Sequence, residues 1–354
     1  MRSTLEDLLL PIAAILAALL LFGLFVMLSG LNPLDVWRLL FMGAFGDAYS
    51  WQNTLQRAAP LMLTALCVVI PARAGLVVIG GEGALVLGGL AAAVLAHALP
   101  PAVALSAPLA GSLLVCLAAA AAGGLWVMLA GWLRQYRGIN ETISSLLLAY
   151  VAIGLFKHFV EGPLRDPSSL NTPSTYELAE GLRIGAMGGS DVHWGLVVGV
   201  VACLVAELWL RLTTSGFAVR VVGGNMRAAQ LVGLPASRLV LLACLLGGAA
   251  AGVAGGIEVA AVHTKANAAL IAGYGYAGIL VAFMARQSPL AVIPVAILLG
   301  GFGAAGSLLQ RRLGMPDASV LVLQGLAFVL ILASEALRGG AWRTWLRSAH
   351  KVAA

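Results

Sequence analysis

Runs of apolar residues long enough to cross a bilayer recur from one end of this chain to the other, and nothing else in it restricts the fold as strongly. They lie at 8–28, 55–70, 83–99, 107–133, 143–160, 192–212, 237–262, 277–285, 290–309 and 317–337. A hydrocarbon core takes about 20 apolar residues per helix. Backbone facing lipid must find its hydrogen bonds within its own segment, so runs of this kind become helices. Charged residues make up 10% of the 354 and hydrophobic ones 61%, where soluble domains carry about 25% and 45–50%. A water-soluble enzyme and a disordered chain are both excluded. The expected architecture is an all-α integral membrane protein, one domain over 1–354 with about ten transmembrane helices. The runs at 55–70 and 277–285 are short, which predicts broken helices lining a central path.

Lys and Arg outnumber Asp and Glu by 21 to 15, a net charge of +6. In such a chain the surplus reads first as topology, and no nucleic-acid partner is expected. With the N-terminus inside, 13 of the 21 basic residues fall on the cytoplasmic side, among them Arg73, Arg134, Arg137, Arg238 and the tail residues Arg343, Arg347 and Lys351. Both termini are then cytoplasmic. The polar connection 161–191, with Pro163, Pro167 and Pro173, is the longest outside loop; it can cap a pore, meet an external partner or simply be solvated. The longest inside connection, 211–237, carries a short helix over 226–232, with Asn225 as N-cap and Gly233 as its stop. By composition alone that helix also reads as an ordinary interfacial one. Cys67, Cys116, Cys203 and Cys244 lie in apolar runs without a CxxC pair and read as small core residues.

Few motifs carry chemistry. A GxxxxGK[ST] phosphate loop, HExxH and GxSxG are all missing from the sequence, so no catalytic residue, metal site or cofactor is expected. Gly273-Tyr274-Gly275-Tyr276-Ala277-Gly278 satisfies GxGxxG, but that fingerprint needs a strand before it in a soluble βαβ unit. A re-entrant turn between membrane segments fits better, with Tyr274 and Tyr276 at an interface or facing a cavity. Gly248, Gly252 and Gly256 are spaced for close helix packing. The sharper signals are acids in or beside apolar runs: Glu82, Glu141, Glu207 and Glu258. An ionisable group there is costly and by default faces a cavity or a partner. Glu82 among Gly80, Gly81 and Gly83, and the Asn140-Glu141 pair opening the fifth run, read either as path lining or as polar clasps. Glu207 and Glu258, near helix ends, read as structural.

Three segments resemble permease subunits of ABC importers in the branched-chain amino acid, ribose and nucleoside superfamily. Gly216-Phe217-Ala218-Val219-Arg220-Val221-Val222-Gly223-Gly224-Asn225, followed by Ala228, Ala229 and Gly233, is similar to the family's G-F-x-x-R-A-V-G-x-N-x-x-A-A-x-x-x-G-I segment. The resemblance makes the helix after Asn225 the coupling helix that docks on the ATPase subunit. Arg73-Ala74-Gly75-Leu76-Val77-Val78-Ile79-Gly80-Gly81-Glu82-Gly83 resembles R-A-G-L-F-N-I-G-x-E-G-Q, and Asn140-Glu141-Thr142-Ile143-Ser144-Ser145 resembles N-E-V-I-S-T. Both favour the nucleoside branch. The likeness covers about 55–335. Val77-Val78 stand where Phe-Asn is usual, Ala84 where Gln is, and Ala149 where Asn is common, so groups near the pathway are lost.

What the resemblance implies is a permease subunit of an ATP-driven importer in the cell membrane, translocating nucleosides along a central translocation path. Simple sugars are the alternative of the same class and an ion-driven secondary transporter that of another. The implied partners are an ABC ATPase that hydrolyses ATP, a second and different permease subunit, an extracytoplasmic substrate-binding lipoprotein and the lipid bilayer. Path residues would be Glu82, Asn140, Glu141, Tyr274 and Tyr276. Coupling residues would be Arg220, Gly223, Gly224, Asn225, Ala228, Ala229 and Gly233.

Overall fold

The computed structural model describes residues 2–100, 107–169, 172–316 and 318–338. Asp317 and the tail residues Arg343, Arg347 and Lys351 lie outside the described residues. All regular elements among those described are helical: α1 (Arg2–Leu28), α2 (Pro33–Phe45), α3 (Ala48–Arg73), α4 (Gly81–Ala98), α5 (Pro108–Arg137), α6 (Glu141–Glu161), α7 (Gly195–Leu212), α8 (Thr214–Gly224), α9 (Met226–Leu231), α10 (Ala236–Ile257), α11 (Tyr274–Met284), α12 (Pro289–Leu313) and α13 (Ser319–Arg338), with a π-helical turn at Glu258–His263. Among the described residues, seven helices are long and apolar enough to cross a membrane, and three shorter apolar ones lie at Ala13–Leu28, Ala268–Met284 and Ser319–Ser334. The chain is a multi-pass membrane protein.

It divides into two compact units, 1–54 with 301–354, and 55–300. In the first, α1 packs on α13, and Phe22, Val26, Val36, Leu40, Leu309 and Leu323 form its core. Helix α2 has no counterpart among the apolar runs, because Asp35 and Arg38 interrupt its hydropathy. It forms nonetheless: Asn32 caps it through a hydrogen bond from Leu34 N (3.0 Å), and Pro33 sits at the first turn, where its missing N–H costs nothing.

The second unit is built around α4, enclosed by α5, α6 and α10. Small residues make this possible. A Cβ on Gly252 would lie 2.1 Å from the Ala119 carbonyl oxygen, and one on Gly255 would lie 1.9 Å from that of Leu85. The GxxxGxxxG stripe is thus the seam on which α10 meets α5, as its spacing predicts. Each end of the unit has a landmark. At one, Arg73 donates from Nε and Nη2 to the Gln287 carbonyl (3.0 and 2.6 Å), and Arg134 approaches Glu141. At the other lies the 164–193 connection.

That connection is largely exposed but is tied to the bundle at discrete points. Leu178, Leu182 and Val192 are buried, and its backbone donates to carbonyls freed where α10 unwinds: Thr175 N to Ala266 O (2.9 Å), Leu178 N to Thr264 O (2.8 Å) and Ile184 N to Ala260 O (3.0 Å). The segment has no apolar period because isolated leucines hold it to the helix ends. Glu177, Glu180, Arg183 and Asp191 are exposed, whereas Ser174, Thr175 and His193 are buried.

Candidate functional site: two broken helices meeting at Glu82

Pro71 inside the last turn of α3 and Gly75 in the left-handed region (φ 80°) end that helix, and the chain continues without helical bonds through Leu76–Gly80. An irregular segment in an apolar bundle must have its backbone groups paired by other means. Here the first turns of α6 supply them. Thr142 Oγ1 donates to Val77 O (2.9 Å), Ile79 N donates to Ser145 Oγ (3.0 Å), and Val77 N reaches Glu141 Oε1 at 3.5 Å. The two sequence segments that favour the nucleoside branch are therefore halves of one structure: the second repairs the helix break of the first.

Helix α4 then starts at Gly81 and α11 at Tyr274, and their N-terminal ends meet. The first N–H groups of a helix have no partner inside it, and Gly273, which caps α11 with φ 80°, has no side chain to offer. Glu82 fills the vacancy from α4. Its Oε1 accepts from Gly273 N (2.8 Å) and its Oε2 from Gly275 N (2.6 Å), with the side chain wholly buried. A carboxylate on two orphan donors at the positive end of a helix dipole is a favourable arrangement. The fit leaves no slack, since a Cβ on Gly275 would lie 2.1 Å from Glu82 N. From α3, the Thr64 hydroxyl stands 2.8 Å from the Pro60 carbonyl oxygen and 3.0 Å from that of Tyr274.

Of the five expected path residues, Glu82, Tyr274 and Tyr276 come together here, at the meeting of the α4 and α11 N-terminal turns. Asn140 does not join them. It is exposed and caps α6, accepting from Thr142 N (2.9 Å) and Ile143 N (3.2 Å). Glu141 lies 3.3 Å from Arg134 Nε, with its other oxygen 3.5 Å from Val77 N.

The connection expected to couple folds as α8 and α9 in succession. Asn225 Oδ1 accepts from Ala228 N (3.1 Å), Ala229 is buried, and Gly233 (φ 83°) stops the run. Arg220 lies over the Phe217 ring, and Phe217, Leu231 and Val232 are exposed. Gly223 and Gly224 differ sharply. A Cβ on Gly223 would stand 2.2 Å from the Arg73 carbonyl oxygen, whereas one on Gly224 would meet nothing within 4 Å. Gly223 thus presses on the turn that leads through Leu76–Gly80 to Glu82.

Residues 50–332 match the family described as branched-chain amino acid transport system / permease component. The chain belongs to that family. A glucose ABC transporter permease protein of Haloferax volcanii is 32% identical to it, over 92% of this chain and 87% of the relative. A guanosine ABC transporter permease protein of Bacillus subtilis is 28% identical over 96% and 97%, and a nucleoside ABC transporter permease protein of Lactococcus lactis is 28% identical over 84% and 83%. The chain is accordingly the membrane subunit of a transporter.

Within this permease the replaced family positions lie around the clasp. Val78, Ala84 and Ala149 are fully buried, and a Cβ on Gly83 would stand 2.7 Å from the Ala149 Cα, so a longer side chain at 149 would have to fit at this helix crossing. Sequence reasoning passed over Thr64 and took Ser145 only as part of the 140–145 segment; their hydroxyls bond the Tyr274 carbonyl and Ile79 N. Thr64 carries a readable signal, four residues after a proline in the middle of a helix. Glu207 pairs with Arg211 one turn on, as its structural reading implies. Glu258 opens the π-helical turn after α10, with His263 Nε2 at 3.7 Å.

Proposed function

We propose that this chain is a permease subunit of an ATP-driven importer that carries nucleosides, with ATP hydrolysed in a separate subunit. The observation that carries the reading is the meeting of the α4 and α11 N-termini at Glu82, connected through Leu76–Gly80 and Gly75 to Gly223. Discontinuous helices with converging N-termini are how transporters place a solute path inside the bilayer. The names of the guanosine and nucleoside permeases supply the solute class.

The 32% identical glucose permease favours a second reading, a sugar importer. Glucose and guanosine have one recognisable feature in common, a sugar ring with adjacent hydroxyls.

In the proposed assembly the basic end of the bundle and both termini face the cytoplasm. The ATPase docks on α9 and the exposed Phe217, Leu231 and Val232, with Arg220, Gly223, Gly224, Asn225, Ala228, Ala229 and Gly233 forming the coupling segment. A binding lipoprotein delivers solute to the 161–191 side, and a second, different permease completes the core in the cell membrane. Glu82, Tyr274 and Tyr276 line the path; Glu141 and Asn140 shape its α6 wall. The test is uptake of labelled guanosine in cells with and without this chain, with unlabelled ribose and glucose as competitors. Loss on deletion, insensitive to both sugars, is expected. Guanosine uptake that survives deletion while glucose uptake falls would replace the nucleoside reading with the sugar one.

A further inference from the structure

Helix α11 is held at both ends by charged side chains from one stretch of chain. Glu82 takes the N–H groups of Gly273 and Gly275 at its start. Arg73, on the far side of the Leu76–Gly80 break, holds the other end. Its Nε and Nη2 donate to the Gln287 carbonyl at 3.0 and 2.6 Å, just beyond the last helical residue, Met284. An anion at a helix start and a cation at its end are the signs that the helix dipole favours. The 11 residues of α11 span about 16 Å. The chain from Arg73 to Glu82 thus clamps a short rod at its two ends.

The turn that Arg73 holds is strained. Arg286 (φ 52°) and Gln287 (φ 57°) follow one another in the left-handed region, which is unfavourable for any residue with a Cβ. Arg286 N donates to Phe283 O and Gln287 N to Ala282 O, both at 2.9 Å, a helix ending that normally places glycine after the last turn. Among the described residues seven glycines take positive φ and three other residues do, Thr264, Arg286 and Gln287; only the last two are consecutive. Strain of this kind persists where the surroundings over-determine it, and it concentrates at switches. The guanidinium fork supplies that constraint, because two donors on one carbonyl orient the peptide as a single point charge does not.

The backbone of the same residue meets the 214–232 connection. A Cβ on Gly223 would lie 2.2 Å from the Arg73 carbonyl oxygen and 3.0 Å from Gly75 N, and one on Gly75 would lie 3.3 Å from the Gly223 Cα. Arg73 therefore has its carbonyl against the end of α8 and its side chain on the turn after α11. Building on the ATP-driven reading above, we propose that Arg73 is the positioning residue that carries a displacement of the coupling segment to α11, with the Arg286–Gln287 turn as the stiff joint between them. When the connection moves, Gly223 drives Arg73 and the guanidinium takes the turn with it. Helix α11 then shifts as a rod against Glu82 at its other end. Gly278, where a Cβ would fall 2.5 Å from Thr64 Oγ1, lets that rod lie flush on α3.

The test uses the full importer with its ATPase in membrane vesicles, and measures ATP hydrolysis beside uptake of labelled guanosine and labelled glucose. Arg73→Lys keeps the charge and loses the fork. It is expected to lower the solute carried per ATP hydrolysed about tenfold, with KM near native. Gln287→Gly keeps the carbonyl that Arg73 holds but removes both the strain and the stiffness of the turn. It is expected to melt at or above the native temperature and yet to carry severalfold less solute per ATP. A turn that merely ended the helix would be improved by glycine and would transport at the native ratio, so that ratio in Gln287→Gly overturns the proposal. A parallel fall of uptake and hydrolysis in Arg73→Lys overturns it too, as the mark of a folding role. If Arg73→Lys fails to reach the membrane, Gln287→Gly decides alone; failure of both overturns the proposal. Native vesicles that carry neither solute, or carry one without ATP, overturn the importer reading itself and the coupling role with it, and this is read before any variant is assayed.

Discussion

Glu82 and Glu258 are carboxylates in the same helical unit, 0% and 3% exposed, and they differ in what fills their oxygens. Both oxygens of Glu82 are taken by backbone N–H groups of α11, at 2.8 and 2.6 Å, whereas Glu258 has only an imidazole at 3.7 Å. A filled carboxylate in a bundle is a strut, and removing it strands its donors. An unfilled one adds little to the fold. Two carboxylates of nearly equal burial are thus distinguished by hydrogen-bond accounting.

The largest expected effect tests the strut. Glu82→Ala leaves the Gly273 and Gly275 N–H groups orphaned in an apolar interior, at about 1–3 kcal/mol each. The variant should lose uptake and melt well below the native protein in detergent. Glu258→Gln should melt at or above the native temperature, since it removes a buried charge that no hydrogen bond offsets. Thermal unfolding of the two purified variants side by side decides this. Equal losses of stability would erase the distinction.

Next in size is Gly223→Ala, whose Cβ would meet the Arg73 backbone. Overpacking of this kind costs about 1–3 kcal/mol, and the strain falls where the 214–232 connection presses on the turn before Leu76–Gly80. Uptake should drop severely while the protein still reaches the membrane. Gly224→Ala, with open space around it, should leave uptake near native. If the two variants transport alike, force does not pass through this contact.

The sequence made these partners legible to different degrees. The all-helical class follows from the apolar runs, and the cap at Asn225 from a side chain that bonds its own backbone three residues on; Asn140 caps in the same way but reads in the sequence as path lining or a clasp. Such features are local. Gly223 and Gly224 are indistinguishable as letters, because only the backbone packed against them separates one from the other. Glu82 stands out among glycines, but the N–H groups that it holds are about 190 residues away in the chain, as the 191- and 193-residue separations of the two bonds record. Glu258 looked like any acid near a helix end; its π-helical turn leaves no mark in composition. Helix α2 was hidden by two charges that hydropathy counts against it and that a helix tolerates.

A smaller effect is expected from Thr64→Val, which keeps shape but removes the hydroxyl between Pro60 and Tyr274. About 1 kcal/mol is the usual scale for such a bond. The loss should appear as a modestly lower melting temperature and a slower maximal uptake rate, with KM unchanged. A raised KM instead would make Thr64 a solute contact.

The smallest effect separates capping from path lining at Asn140. Its amide oxygen holds the first turn of α6, from which Glu141, Thr142 and Ser145 steady the broken segment, so Asn140→Ala should cost about 1 kcal/mol through fraying there. Serine caps nearly as well as asparagine, and Asn140→Ser should therefore restore the native melting temperature and leave KM for guanosine unchanged. A solute contact would behave differently: serine is too short to replace the amide, and KM would stay raised in both variants. Rescue of stability without rescue of KM would move Asn140 from the helix terminus into the pathway, and would show that the filled and unfilled groups of this bundle are not as cleanly divided as Glu82 and Glu258 make them.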